Sequence, residues 1–170
     1  MRFAPALLAA AFLAGCGYHV AGEGAALLPK EIHTIAVPAW ANATTQYKLS
    51  NYMAEAVSRE LITRTHYGVV ADPSKADAAV YGAIANIFSN ATVFDPTTGR
   101  GTGAQIIVQI QVRLVGKDGK VLFTRPNLEF RDRYEISTDP GQYLDESQGT
   151  LQRLSRDVAR TVVSAVLENF

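Results

Sequence analysis

The chain has 170 residues, 48% of them hydrophobic and 19% charged, with 16 lysines and arginines balanced by 16 aspartates and glutamates. That balance excludes the basic excess on which nucleic-acid binding depends, and the apolar fraction is enough for one proper core. A single cysteine excludes any disulfide within the chain.

Arg2 precedes an apolar run from Ala4 to Ala14, the basic and hydrophobic regions of a secretory signal segment. The run is too short for a transmembrane helix, which takes about 20 apolar residues. Leu13-Ala14-Gly15-Cys16 at its end resembles the bacterial lipobox. Residues 1–15 are therefore expected to be removed, leaving Cys16 acylated at the mature N-terminus; an ordinary signal peptide with an incidental cysteine is the alternative. One acyl chain anchors a protein only marginally, whereas a diacylglyceryl group with an N-acyl chain makes attachment permanent. Gly17, and not Asp, follows the cysteine. In enterobacterial sorting that residue directs a lipoprotein to the outer membrane.

Residues 16–30 are glycine-rich and read as a flexible leader. The β-branched run Ile32–Val37, closed by Pro38, predicts a first strand. Asn42-Ala43-Thr44-Thr45 supplies turn and N-cap residues for a helix from Lys48 to Thr65, whose apolar face is Leu49, Tyr52, Met53, Ala56, Val57 and Leu61. Val69-Val70-Ala71 begins an extended pattern that Asp72-Pro73-Ser74-Lys75 interrupts, and the second strand runs from Ala76 to about Phe94. A turn at Asp95–Gly101 leads to the cleanest strand of the chain. There Ile106, Val108, Ile110, Val112 and Leu114 share one face, and Gln105, Gln109, Gln111 and Arg113 the other. Lys117-Asp118-Gly119-Lys120 has hairpin chemistry. The partner strand, Val121 to Ile136, contains Pro126, which requires a bulge or an edge position. Leu151, Leu154, Val158, Val162, Ala165 and Val166 form the apolar stripe of a last helix, with Arg153, Arg156, Asp157 and Arg160 facing away.

The order β-α-β-β-β-α gives an α+β two-layer sandwich, a mixed four-stranded sheet with two helices on one face, over residues 31–170. The core is expected where the Ile106–Leu114 face meets Leu49, Met53, Val57, Leu154, Val158 and Val162. His19, His33 and His66 are isolated and lack metal-ligand spacing, and no nucleophile motif, paired-carboxylate pattern or phosphate loop is present. Gly99-Arg100-Gly101-Thr102-Gly103 leads into a strand and not into a helix, so it reads as a turn. The chain is expected to use no cofactor and to catalyse nothing.

Cys16-Gly17-Tyr18-His19 at the mature N-terminus, the Ala76-Asp77 entry to the second strand and Arg156-Asp157-Val158-Ala159 in the last helix, in this order, resemble the LptE family of lipopolysaccharide-assembly lipoproteins. The resemblance spans the whole mature chain. It implies a periplasmic, outer-membrane-anchored plug seated in the LptD β-barrel, with barrel and lipopolysaccharide as partners. Thr34–Pro38, the helix and Ala76-Asp77 also resemble the α/β domain of CsgG-like secretion-pore lipoproteins, in which the 86–112 region would have to supply a membrane hairpin. A lipid-tethered scaffold with no transport role is a third reading. Arg100, Arg131 and Arg133 are expected to gather at one end of the third and fourth strands, as candidate contacts for polyanionic lipopolysaccharide. The alternative is a solvated strand face paired with Glu129, Asp132 and Glu135. Lys117 and Lys120 lie at the opposite end.

Overall fold

Alternation decides the central layer. In the computed structural model, which describes residues 28–29, 31–137 and 140–168 with backbone alone for 140–147, the strands are β1 (Thr34–Ala36), β2 (Ala41–Asn42), β3 (Gly68–Val70), β4 (Ala78–Phe94), β5 (Gly101–Gly116) and β6 (Val121–Glu135). The helices are α1 (Tyr47–Arg64) and α2 (Pro140–Leu167). The expected signal segment, Cys16 and most of the leader lie outside the described residues. Leu28, within that leader, is 1% exposed and belongs to the core.

The sheet has six strands in the order β3-β1-β4-β5-β6, with β2 pairing β4, and not the four expected. The β3-β1-β4 side is parallel and the β4-β5-β6 side antiparallel, so the sheet is mixed as expected. The two additional strands have three and two residues. They exist because β1 and β4 offer partners: the Gly68 N–H donates to the His33 carbonyl at 2.9 Å, and the Val37 N–H to the Val70 carbonyl at 2.9 Å.

Both helices cover one face. Ile106, Val108, Ile110, Val112 and Leu114 of β5 are buried in one cluster with Leu49, Met53, Val57, Leu154, Val158 and Val162, the predicted core. α1 starts at Tyr47 after a turn in which Asn42 Oδ1 accepts from the Thr44 N–H (2.9 Å) and hydroxyl (2.7 Å). Its N-cap is Gln46, without a side-chain cap bond, so Asn42 and Thr44 shape the turn and do not cap the helix.

Pro126 has both features its chemistry requires. β6 is an edge strand, and its register slips between the Ile110–Leu128 and Val112–Arg125 pairs, which is a bulge around the proline. The β5–β6 turn closes through Gly116 and Lys120 backbone bonds, with Gly119 at φ 82°. Residues 86–112 form the far half of the β4–β5 hairpin, inside the sheet and paired strand to strand.

Candidate functional site

The end of the sheet formed by the β4–β5 turn and the last residues of β6 holds the predicted arginines. The Asp95 carboxylate shapes this turn: its Oδ1 accepts the Thr97 and Thr98 N–H groups, both at 2.8 Å. These bonds, that of Thr98 first, hold the carboxyl below its ordinary range. Gly99, at φ 68°, completes the reversal in the left-handed region that glycine tolerates. Arg100 therefore sits in a turn, as expected, and not in a phosphate cradle.

Arg131 and Arg133 lie two residues apart on β6, opposite Ile107 and Gln105. Since Ile106 and Val108 are buried under the helices, both arginines stand on the helix-free face. Arg131 is already engaged, its Nε donating to Glu129 Oε1 at 2.8 Å while Gln109 Nε2 donates to Glu129 Oε2 at 3.2 Å. Glu129 is held below its usual range by Arg131 first and Gln109 second. Arg133 and Arg100 form no ion pair among the described residues.

The three arginines share one end of the sheet without forming one cluster. Arg100 lies five residues before Gln105, the register partner of Arg133, a separation of roughly 17 Å along an extended strand. Lys117 and Lys120 lie at the far end, in the β5–β6 turn, as expected.

A cleft of about 490 Å³ opens beside Arg133, bounded by Thr92, Val93, Glu135 and, from α2, Thr150 and Arg153. Arg153 was expected to face away from the sheet. Instead its Nε stands 3.4 Å from Asp132 Oδ2 and its Nη2 donates to Thr150 Oγ1 at 2.8 Å, tying α2 to β6. Helical periodicity assigned Arg153 to the polar side, and nothing in it revealed that the edge strand would reach that side. The Asp132 carboxylate is thus paired with a helix cation and not with a cationic side chain of its own strand, while its Oδ1 accepts the Arg133 N–H at 2.7 Å.

His33 and His66 are exposed, and among the described residues no group of three or more His, Cys, Asp or Glu side chains is placed to hold a metal ion. No described helix is long and apolar enough to cross a membrane.

Direct comparison with curated proteins gives no significant match. The fold is shared by lipoprotein B of Nitrosomonas europaea, at TM-score 0.56 and 13% identity over 89% of this chain and 90% of that one. A lipoprotein of Caulobacter crescentus follows at TM-score 0.53 and 12% identity, covering 76% of this chain and 88% of its own. The PelC dodecamer of Paraburkholderia phytofirmans is similar at TM-score 0.52 and 15% identity, over 79% and 86%. At such identities these structures establish the architecture alone. The family model described as LptE, lipopolysaccharide-assembly, matches residues 32–166. That span runs from buried Ile32, just before β1, to buried Val166 in the last turn of α2, and over it the chain belongs to the LptE family of lipopolysaccharide assembly.

Proposed function

We propose that this member of a lipopolysaccharide-assembly family is a non-enzymatic outer-membrane lipoprotein, held on the periplasmic side by acylated Cys16, that acts as plug and partner of an LptD-like β-barrel. The family match over residues 32–166 carries the reading, and the lipobox ending at Cys16 supports the anchor. Arg100 and Arg133 are the candidate contacts for lipopolysaccharide phosphates. Each has a guanidinium without an acidic partner among the described residues, and a guanidinium binds phosphate through a two-pronged fork. Arg131 contributes less, because Glu129 neutralises it.

Two measurements test this. Purification of the intact protein from native membranes should bring down one large barrel protein in one-to-one ratio; recovery without any barrel removes the plug role. Replacing Arg100, Arg131 and Arg133 together by Ser should weaken lipopolysaccharide binding about tenfold or more in low salt, since charge-assisted hydrogen bonds are lost, and leave barrel association intact. Unchanged binding in that variant, with loss when Lys117 and Lys120 are removed, places the contact at the other end of the sheet.

A further inference from the structure

The helix-free face of the sheet carries a second pattern, uncharged and regular. The β4–β5 register sets Asn86 beside Gln109, Phe88 beside Ile107 and Asn90 beside Gln105. Their neighbours along the strands, Ile87, Ile106 and Val108, pack into the core, so these six side chains share the open face. Cross-strand partners stand about 5 Å apart and successive rows about 6.7 Å apart. An apolar pair is therefore bracketed by two carboxamide pairs. Phe88 is 39% exposed, which leaves its ring a usable floor.

The hydrogen-bonding capacity of this patch is largely unspent within the protein. Gln109 gives one amide proton to Glu129 and Asn86 Oδ1 accepts from the Ile87 N–H. The side chains of Asn90 and Gln105 have no hydrogen-bond partner among the described residues. Of the adjoining charges, Glu129 and Arg131 cancel each other, and Arg133, beside Gln105, marks the edge of the uncharged rows.

We propose that this patch binds a neutral saccharide ring, the sugar portion of the glycolipid that the family helps to assemble. The inference rests on the lipopolysaccharide reading above and names the part of that molecule held here. A pyranose has an apolar C–H face and a rim of hydroxyls that both donate and accept. Phe88 and Ile107 match the C–H face, as an aromatic ring does through its apolar body. The carboxamides match the rim, since each offers an acceptor oxygen and two donor hydrogens. Acyl chains fit poorly, because they would strip water from four amides and return no hydrogen bond. Phosphate fits poorly as well, because the patch has no net charge to offer it; the phosphates belong to Arg133 and Arg100 at the margin.

The test is an NMR titration of the isotope-labelled, detergent-solubilised full protein with lipid-free, dephosphorylated core oligosaccharide released from lipopolysaccharide by mild acid. The side-chain amide signals of Asn86, Asn90, Gln105 and Gln109 should shift saturably. Phe88→Ala should weaken the oligosaccharide about tenfold. Asn90→Ala combined with Gln105→Ala, at positions outside the core, gives the same loss by an independent route if Phe88→Ala is unstable. Intact lipopolysaccharide binding without any response to the oligosaccharide overturns this inference alone, whereas failure of both overturns the lipopolysaccharide reading too. Amide shifts that appear only with the purified barrel protein make the face a protein interface, and equally overturn it.

Discussion

A methyl group on Gly82 would stand 2.0 Å from Cδ2 of Trp40, far inside any permitted contact. Gly82 lies within β4 on the helix side, and Trp40 is 3% exposed over it, its carbonyl accepting a hydrogen bond from the Ser50 hydroxyl of α1. Glycine is needed here for close approach and not for a turn. Gly82→Ala should lower stability by about 1–3 kcal/mol or more through overpacking, read as a fall in the thermal midpoint. In a Trp40→Ala background, itself costing about 3–5 kcal/mol, that penalty should vanish; additive losses would show that the two residues do not meet. Asp77 is the second single residue on which the fold depends. Its Oδ2 accepts the His33 N–H (3.0 Å), the Thr34 N–H (2.9 Å) and the Thr34 hydroxyl (2.8 Å), fastening β1 to the start of β4. These bonds, the His33 N–H first and the Thr34 hydroxyl next, hold its carboxyl below the ordinary 3.8. A group depressed in the folded state stabilises fully above its unfolded pKa, and that contribution is lost as pH falls through the folded value. Denaturation midpoints should therefore fall as the pH drops through the ordinary carboxylate range and below it, and less in Asp77→Asn than in the parent. A slope equal in both proteins would free Asp77 of this role. The residue stood out in the sequence only within the Ala76-Asp77 pair, because its partners lie more than forty residues away.

Elements were legible where one periodicity ran long enough to be heard. β5 was, since every second residue from Ala104 to Leu114 is buried, and α1 was, with Leu49, Met53, Val57 and Leu61 on one stripe. Ile110→Ala, at a site 1% exposed, should cost about 2–5 kcal/mol in chemical denaturation; an unmoved midpoint would mean that the assigned face is wrong. β3 was legible only as the extended start at Val69-Val70-Ala71, and β2 not at all. Three or two residues carry no alternation, and what makes them strands is hydrogen bonding to β1 and β4, a tertiary fact. The beginning of α2 was obscured differently. Asp139-Pro140-Gly141 has turn composition, yet Pro140 is the first helical residue, a place where its missing N–H costs nothing and its fixed φ helps. The arginine site was half legible. The alternation on β6 put Arg131 and Arg133 on one face, but the neutralisation of Arg131 by Glu129 and the capture of Asp132 by Arg153 depend on side-chain reach and on where α2 lands.

At the scale of the molecule, topology and function were read by different means. The two-layer arrangement follows from the one-sided helices and the oily face of β5, which physics alone connects. Membership of a lipopolysaccharide-assembly family followed from ordered short motifs and is carried by the match over residues 32–166. Among the described residues no cluster of metal-ligating groups announced it. Attachment belongs to the same scale. Cys16→Ala should yield an uncleaved or soluble exported protein with an unchanged fold, checked by circular dichroism and by the mass of the mature N-terminus. A free thiol on the mature wild-type protein would exclude acylation. Fractionation by itself is the weaker readout, since the barrel partner proposed above would retain some of the unacylated chain.

The sheet order has a kinetic consequence. β4, β5 and β6 are joined by two hairpins and pair with their sequence neighbours, so they can zip together as soon as both arms exist. β1 is different: it lies between β3 and β4, and its ties to them close loops of some thirty to forty residues. A chain delivered N-terminus first therefore presents Ile35, Ala36 and Val37 long before anything can receive them. Those residues end fully or almost fully buried, and their pairings close longer loops than the hairpin turns do. Local pairing makes the hairpin half of the sheet the quicker to nucleate, and the pairing of β1 carries the higher entropic cost.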